Sequence, residues 1–196
     1  MQHTTKAISD SQVPLASSPA FGHVLDTYVS ETNKTASVWH EFSAADMVWR
    51  PHKRSSSVEE IMKHQLLSER RFFAEFLGAP EPPAADVLPA ESTVEAYTHQ
   101  LVDLALGRLG WLSALSQEEW LKPVRFFDVD RERIWVFWRR VLHSAHHRTQ
   151  LTVYLRMLDR AVPSTYGPTA DVTWSGATPT LALENNDGSR TDEVLE

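Results

Sequence analysis

The sequence predicts an all-α protein built as a four-helix bundle. Four long stretches carry apolar residues at helical spacing, and polar or Pro- and Gly-rich segments separate them. No stretch has a convincing strand pattern, and 196 residues with 42% hydrophobic content can bury one good core. We therefore predict a loose polar arm over residues 1–19, the bundle over residues 20–170, and a strap or disordered tail over residues 171–196.

The first two helices are predicted on either side of a loop that contains proline. Apolar residues at helical spacing indicate a helix from Phe21 to His40. The second helix is predicted to begin after Ser57, because Ser57 followed three residues later by Glu60 has the form of a capping box. It is expected to run to about Leu77, since Gly78 follows and ends helices readily.

The third and fourth helices complete the bundle. A cap at Ser92 or Thr93 opens a third helix that is predicted to reach Leu115. Residues 116–130 are predicted to be a connector, and the fourth helix is predicted from about Arg131 to Leu158. Apolar residues lie on two opposite sides of this helix, so we expect it to be buried on both.

Composition excludes several classes of function. The chain has no cysteine, so disulfides, thiolate zinc sites and cysteine nucleophiles are ruled out. A formal net charge of −7 without long basic runs disfavours nucleic acid binding. No apolar run approaches the ~20 residues that a membrane span needs, and the N-terminus lacks a signal-peptide pattern. We expect a cytoplasmic protein that acts on a small molecule, without a membrane or nucleic acid partner.

Histidines on the fourth helix are the main functional signal. His143 and His147 stand one helical turn apart, so both imidazoles can reach one point, which is half of a metal site. His146 is also close to His143, at i and i+3, and spacing alone leaves the choice between them open. A third ligand must come from another helix, and His64 is the best-placed candidate. The alternative reading is a set of half-buried, hydrogen-bonded imidazoles without a metal.

Other catalytic templates are missing from the sequence. His143 is not followed by glutamate, as the first histidine of the zinc-protease pattern would be. There is also no Gly-rich phosphate loop, no Gly-x-Ser-x-Gly elbow and no paired Glu-x-x-His motif of a di-iron bundle. The histidines therefore remain the site that the sequence predicts.

Three stretches of the sequence fit one family pattern. The first is Trp-Arg-Pro at residues 49–51 followed by residues 57–64, which end in a histidine. The second is His-Ser-Ala-His-His-Arg-Thr-Gln-Leu at residues 143–151, and the third joins residues 154–158 to the loop at residues 162–168. Together they resemble the DinB-like (DinB/YfiT) metal-binding four-helix bundles, over about Phe21 to Asp171.

The resemblance implies an up-down-down-up bundle, usually a homodimer, that holds a divalent metal ion. Carried over by position, the ligands are His64, His143 and His147, because the family pattern uses the histidine that precedes arginine. His146 is then not a ligand. The sequence departs from the pattern at Asp159, where a glycine is expected after the last helix.

The resemblance also suggests a range of activities. Three histidine ligands leave open positions on the metal, which is typical of catalytic sites, and zinc and nickel both suit imidazole. Some relatives act as thiol-dependent S-transferases or isomerases that use bacillithiol, mycothiol or glutathione. The leading hypothesis is therefore a thiol S-transferase with the thiol as cosubstrate. A hydrolase using metal-bound hydroxide and a non-catalytic, stress-associated metal-binding dimer are the alternatives. Glu69, Tyr154 and Gln150 are the candidates for a base or an orienting group.

Overall fold

Four long helices dominate the structure, as the sequence predicts. A computed structural model describes residues 7–172, so residues 1–6 of the predicted arm and nearly all of the predicted tail lie outside it. The long helices are α1 (Gly22–His40), α2 (Val58–Arg71), α3 (Val94–Ala114) and α5 (Arg133–Met157), and a short helix α4 (Gln117–Leu121) precedes α5. A π-helical turn over Phe72–Leu77 extends α2. The all-α bundle is confirmed.

Contacts between helix ends fix the direction of α2 and α3. Near both helix starts, the hydroxyl of Tyr97 donates to Glu59 at 3.3 Å. Near the other ends, the guanidinium of Arg108 donates to Glu69 at 2.7 Å. The two helices are therefore parallel, which gives the central pair of the up-down-down-up order.

The outer two helices run the other way. The hydroxyl of Tyr28, early in α1, donates to Glu69 late in α2 at 2.7 Å, so these two helices are antiparallel. Arg140, early in α5, also contacts Glu69, at 3.0 Å, whereas Tyr154, late in α5, reaches the carbonyl of Ser56 just before α2, at 3.1 Å. The helix of the histidine pair thus lies antiparallel beside the helix of His64.

The capping box at the start of α2 is confirmed. The backbone N–H of Glu60 donates to Ser57 Oγ at 3.2 Å, and the backbone N–H of Ser57 donates to the Glu60 carboxylate at 2.8 Å. At the other end, Gly78 takes a left-handed φ of 79°, which glycine tolerates best. Both ends of the helix that carries His64 are therefore set by local sequence.

A β-hairpin corrects the prediction that the chain has no strand. β1 (Pro123–Phe126) pairs antiparallel with β2 (Val129–Glu132) inside the segment predicted as a connector. The residues of the turn are Phe127 and Asp128, and Phe127 has a φ of 53°. Because the turn lacks the Asn-Gly or Asp-Gly signal of such hairpins, sequence inspection missed it. The hairpin also displaces the start of the last helix from about Arg131 to Arg133.

A layer of buried polar side chains separates two apolar clusters in the bundle. One cluster surrounds Phe73 and Phe137, and the other surrounds Trp39 and Leu66. Polar residues lie between them on α1, α2 and α5, and the layer comprises Glu31, Asn33, Gln65, Glu69, Arg140 and Arg148. Buried polar groups need partners, so this layer holds the helices in one register.

Two contacts fasten the ends of the bundle. Ile8, in the predicted arm, is fully buried, and Asn33 bonds its backbone N–H and carbonyl at 2.8 and 2.9 Å. After α5, Asp159 takes a φ of 54°, and the N–H of Arg160 donates to the carbonyl of Leu155 at 2.9 Å. Asp159 thus adopts the left-handed conformation that the expected glycine would supply.

In residues 7–172, no helix combines the length and apolarity that a membrane crossing requires.

Candidate metal centre

The structure brings the three predicted histidines together. His64 comes from α2, and His143 and His147 come from successive turns of α5. Their ring centroids lie 4.6 to 5.3 Å apart, and one ligand nitrogen from each lies within 4.8 Å of the other two. His146 is exposed and contacts only His147 among these rings, at 5.0 Å. The three rings therefore converge in the way that a shared ion would need.

A chain of hydrogen bonds orients His147. Its Nδ1 lies 3.2 Å from Gln150 Oε1, which can only accept, so Nδ1 carries the proton and Nε2 keeps a free lone pair. The Gln150 amide donates to the Tyr154 hydroxyl at 3.2 Å, and that hydroxyl donates to the Ser56 carbonyl at 3.1 Å. Gln150 and Tyr154 thus lie behind His147, in the position of groups that orient a metal ligand.

His143 has a cation as its neighbour. Arg140 donates to His143 Nδ1 at 2.8 Å, and a guanidinium has only donors, so Nδ1 accepts. Neutral His143 then carries its proton on Nε2. A metal ion at Nδ1 would have to displace Arg140. One at Nε2 would require the proton to move to Nδ1, and Arg140 would again have to leave, because it can only donate.

All three imidazoles have lowered pKa values. Burial lowers the pKa of His143 to about 3, helped by the charge of Arg140 and by the other two histidines. Burial and then Arg140 lower the pKa of His64, and burial lowers that of His147 although its bond to Gln150 opposes the shift. The three are therefore neutral at pH 7, which is the form that binds metals. The three imidazoles could hold a metal ion once Arg140 moves away from His143.

Glu69 lies behind His143, on the far side of Arg140. One carboxylate oxygen accepts from Tyr28 and Arg108, both at 2.7 Å, and the other accepts from Arg140 at 3.0 Å. Burial alone would raise the pKa of Glu69, but the two guanidinium groups and these hydrogen bonds hold it below its usual range. A carboxylate engaged in this way suits the positioning of Arg140 better than proton transfer.

Sequence inspection missed the arginines of this site. Arg140 is fully buried and bonds Ser68, Glu69 and His143. Arg108 is also buried, between Glu69 and Glu81. Helical spacing could have indicated the contact between Arg140 and His143. Arg140 stands three residues before His143, on a helix predicted to be buried on both sides.

The sequence matches the model of a known protein family. A sequence model of the DinB family matches residues 1–177 of the chain. The chain belongs to the DinB family. This confirms the predicted resemblance, and the match extends to residue 1, beyond the stretches that carried it.

Solved DinB-like structures share the fold. A DinB-like protein from Bacillus cereus superposes with a TM-score of 0.63 at 16% identity, covering 85% of this chain and 100% of that one. The DinB-like protein YjoA from Bacillus subtilis gives a TM-score of 0.59 at 20% identity, covering 74% of this chain and 96% of that one. Identities this low establish the bundle alone. No curated protein matches the sequence.

Proposed function

We propose that this DinB-family protein binds one divalent metal ion, zinc or nickel, through His64, His143 and His147. The observation that carries the proposal is the convergence of three neutral imidazoles from two helices, with ligand nitrogens within 4.8 Å of one another. The hydrogen bond that leaves His147 Nε2 free supports it. Zinc and nickel both accept imidazole ligands, so the donor set favours these two ions equally.

The proposed activity is thiol S-transfer to an electrophilic small molecule. A bound ion would supply a Lewis acid that stabilises a thiolate at neutral pH. The chain has no cysteine, so the thiol is a cosubstrate such as bacillithiol, mycothiol or glutathione. Gln150 and Tyr154 would hold His147 as positioning groups. Glu69 would anchor Arg140, which has to move away from His143 before that imidazole can bind the ion.

Thiol dependence is the test of this activity. Zinc- or nickel-loaded protein should consume 1-chloro-2,4-dinitrobenzene only when one of these thiols is present, and EDTA treatment should stop the reaction. Equal hydrolysis of 4-nitrophenyl acetate with and without thiol would instead support the hydrolase. Loaded protein without turnover in either assay would contradict both enzymes and leave a non-catalytic metal-binding protein.

We further propose that the protein is a homodimer that forms through α5. Three apolar residues on one side of this helix are 54% to 65% exposed, namely Leu142, Val153 and Met157. Their spacing places them on one stripe, and a stripe of this kind fits the same stripe of a second copy by two-fold symmetry.

We also propose a cytoplasmic location. The absence of cysteine from the chain agrees with it.

Val153→Glu should convert the dimer to a monomer, because it would bury a charge at the centre of the interface. Light scattering after size exclusion measures the mass directly. Val48→Glu is the matched control, since Val48 is 75% exposed and lies outside α5. A wild-type protein that is monomeric at micromolar concentration would contradict the dimer.

A further inference from the structure

Four aromatic side chains form a continuous surface at the hairpin end of α5. We call Phe76, Phe126, Phe127 and Trp135 the aromatic patch. Ring centroids lie 4.8 Å apart for Phe126 and Phe127, 4.9 Å for Phe76 and Phe127, and 5.5 Å for Phe126 and Trp135. Phe127 is 58% exposed and Trp135 is 43% exposed. Large aromatic groups that cluster at a surface usually mark a binding site.

Phe72 joins the aromatic patch to the three histidines. This buried ring lies 5.2 Å from Phe76 and 5.8 Å from Phe126, measured between centroids. On its other side it stacks on His143 at 6.1 Å, with 29° between the planes. One ring therefore separates the patch from a proposed metal ligand.

The hairpin turn holds Phe127 in an unfavourable backbone conformation. Phe127 is the first of the two turn residues, and its φ is 53°. Glycine, asparagine or aspartate normally occupies such positions, because a side chain with a β-carbon crowds the backbone there. Core packing does not account for phenylalanine at this position, since the ring is more than half exposed. Strained backbone conformations of this kind cluster at ligand-binding and active sites.

Two arginine side chains lie at the rim of the aromatic patch. The guanidinium of Arg71 lies 5.9 Å from the ring centres of both Phe76 and Phe127, and that of Arg131 lies 5.6 Å from Trp135. Arg71 also pairs with Glu75 at 2.9 Å, whereas Arg131 donates to the backbone carbonyl of Asp130 at 2.9 Å and forms no ion pair within residues 7–172. Arg131 therefore offers a positive charge to an anion beside Trp135.

We propose that the aromatic patch binds an aromatic carboxylate, as the substrate or as part of it, beside the three histidines. Planar rings stack on exposed Phe and Trp faces, and carboxylates pair with arginine at the rim. The assignment of this ligand as the substrate rests on the proposed function, whereas its binding to the patch does not require a metal. Trp135 stands two helical turns before Leu142 on the same side of α5, so the aromatic patch adjoins the apolar stripe proposed for the dimer.

Binding of 2-naphthoate tests the proposal in the full-length protein. We expect calorimetry to detect binding to both EDTA-treated and zinc-loaded protein, and to find weaker binding of the uncharged analogue 2-naphthalenemethanol. Phe127→Gly should weaken naphthoate binding about tenfold or more, because it removes the most exposed ring. The variant should keep its fold, since glycine accepts a positive φ without strain. Arg131→Gln should reduce the preference for naphthoate over the alcohol.

The controls separate this proposal from its rivals. Val48→Ala removes exposed apolar surface elsewhere and should leave naphthoate affinity unchanged. Equal affinity in wild type and Phe127→Gly would overturn the proposal. A change of solution mass in Phe127→Gly, without a change in affinity, would overturn it in favour of a subunit contact. Naphthoate binding by a protein that binds no zinc would support the patch while contradicting the metal centre.

Discussion

Replacing Glu69 with alanine is expected to lower the free energy of unfolding by about 3–5 kcal/mol at pH 7. Glu69 is buried and accepts from Tyr28, Arg108 and Arg140. Removing the carboxylate leaves the Arg140 guanidinium buried without its ion-pair partner, whereas Arg108 keeps Glu81. An unpaired buried charge costs far more than a pair contributes, so this loss is large.

Urea unfolding followed by circular dichroism measures the effect. Glu75→Ala is the matched control, because Glu75 pairs with Arg71 at 2.9 Å on the surface, where both side chains are about half exposed. Such surface pairs contribute at most about 1 kcal/mol, so the control should unfold nearly as wild type does. Equal losses in the two variants would contradict a buried network around Glu69.

The same network predicts how stability depends on pH. The folded-state pKa of Glu69 lies below its ordinary value, so the unfolded state takes up the proton first as the pH falls. The stabilisation is complete above the ordinary carboxyl pKa and is lost progressively below it. Glu69→Gln should remove this part of the acid dependence.

Replacing His147 with alanine is expected to weaken zinc or nickel binding by at least about 100-fold. Loss of a residue that only orients a ligand costs about 10- to 100-fold, and loss of the ligand itself should cost more. The fold should persist, because His147 is only partly buried and contributes no ion pair in the described residues. Calorimetric titration with metal, alongside far-ultraviolet circular dichroism, measures both quantities.

His146→Ala is the control for that experiment. His146 precedes His147 in the sequence and is exposed, and the centroids of the two rings lie 5.0 Å apart. We expect the control to bind metal as the wild type does. Similar losses in both variants would indicate a general effect of removing an imidazole, and unchanged binding in His147→Ala would remove it from the ligand set.

Local patterns in the sequence were sufficient to predict the scaffold and the pairing of His143 with His147. Ser57 and Glu60 cap α2 because capping depends on residues three apart, and His143 and His147 share a face because helical spacing dictates it. His64 required more, since its approach depends on the antiparallel packing of α2 against α5. His64 was only the best-placed candidate until the family resemblance implied it as a ligand.

Other features depend on long-range packing and could not be read from the sequence. Arg140 meets Glu69 and Arg108 only after three helices have assembled, and an arginine on a helix is usually predicted to face solvent. The hairpin was missed because Phe127 adopts a positive φ without glycine. The hairpin contributes two of the four rings of the aromatic patch, Phe126 and Phe127, so the patch could not be predicted either.

Metal content tests the central claim most directly. Protein purified without an affinity tag and loaded with zinc or nickel should contain about one ion per chain, because three histidines form one metal site. His64→Ala should contain almost none, because it removes the sole ligand from α2. Absence of bound metal in the wild type after loading, or equal metal in both proteins, would contradict the three-histidine centre.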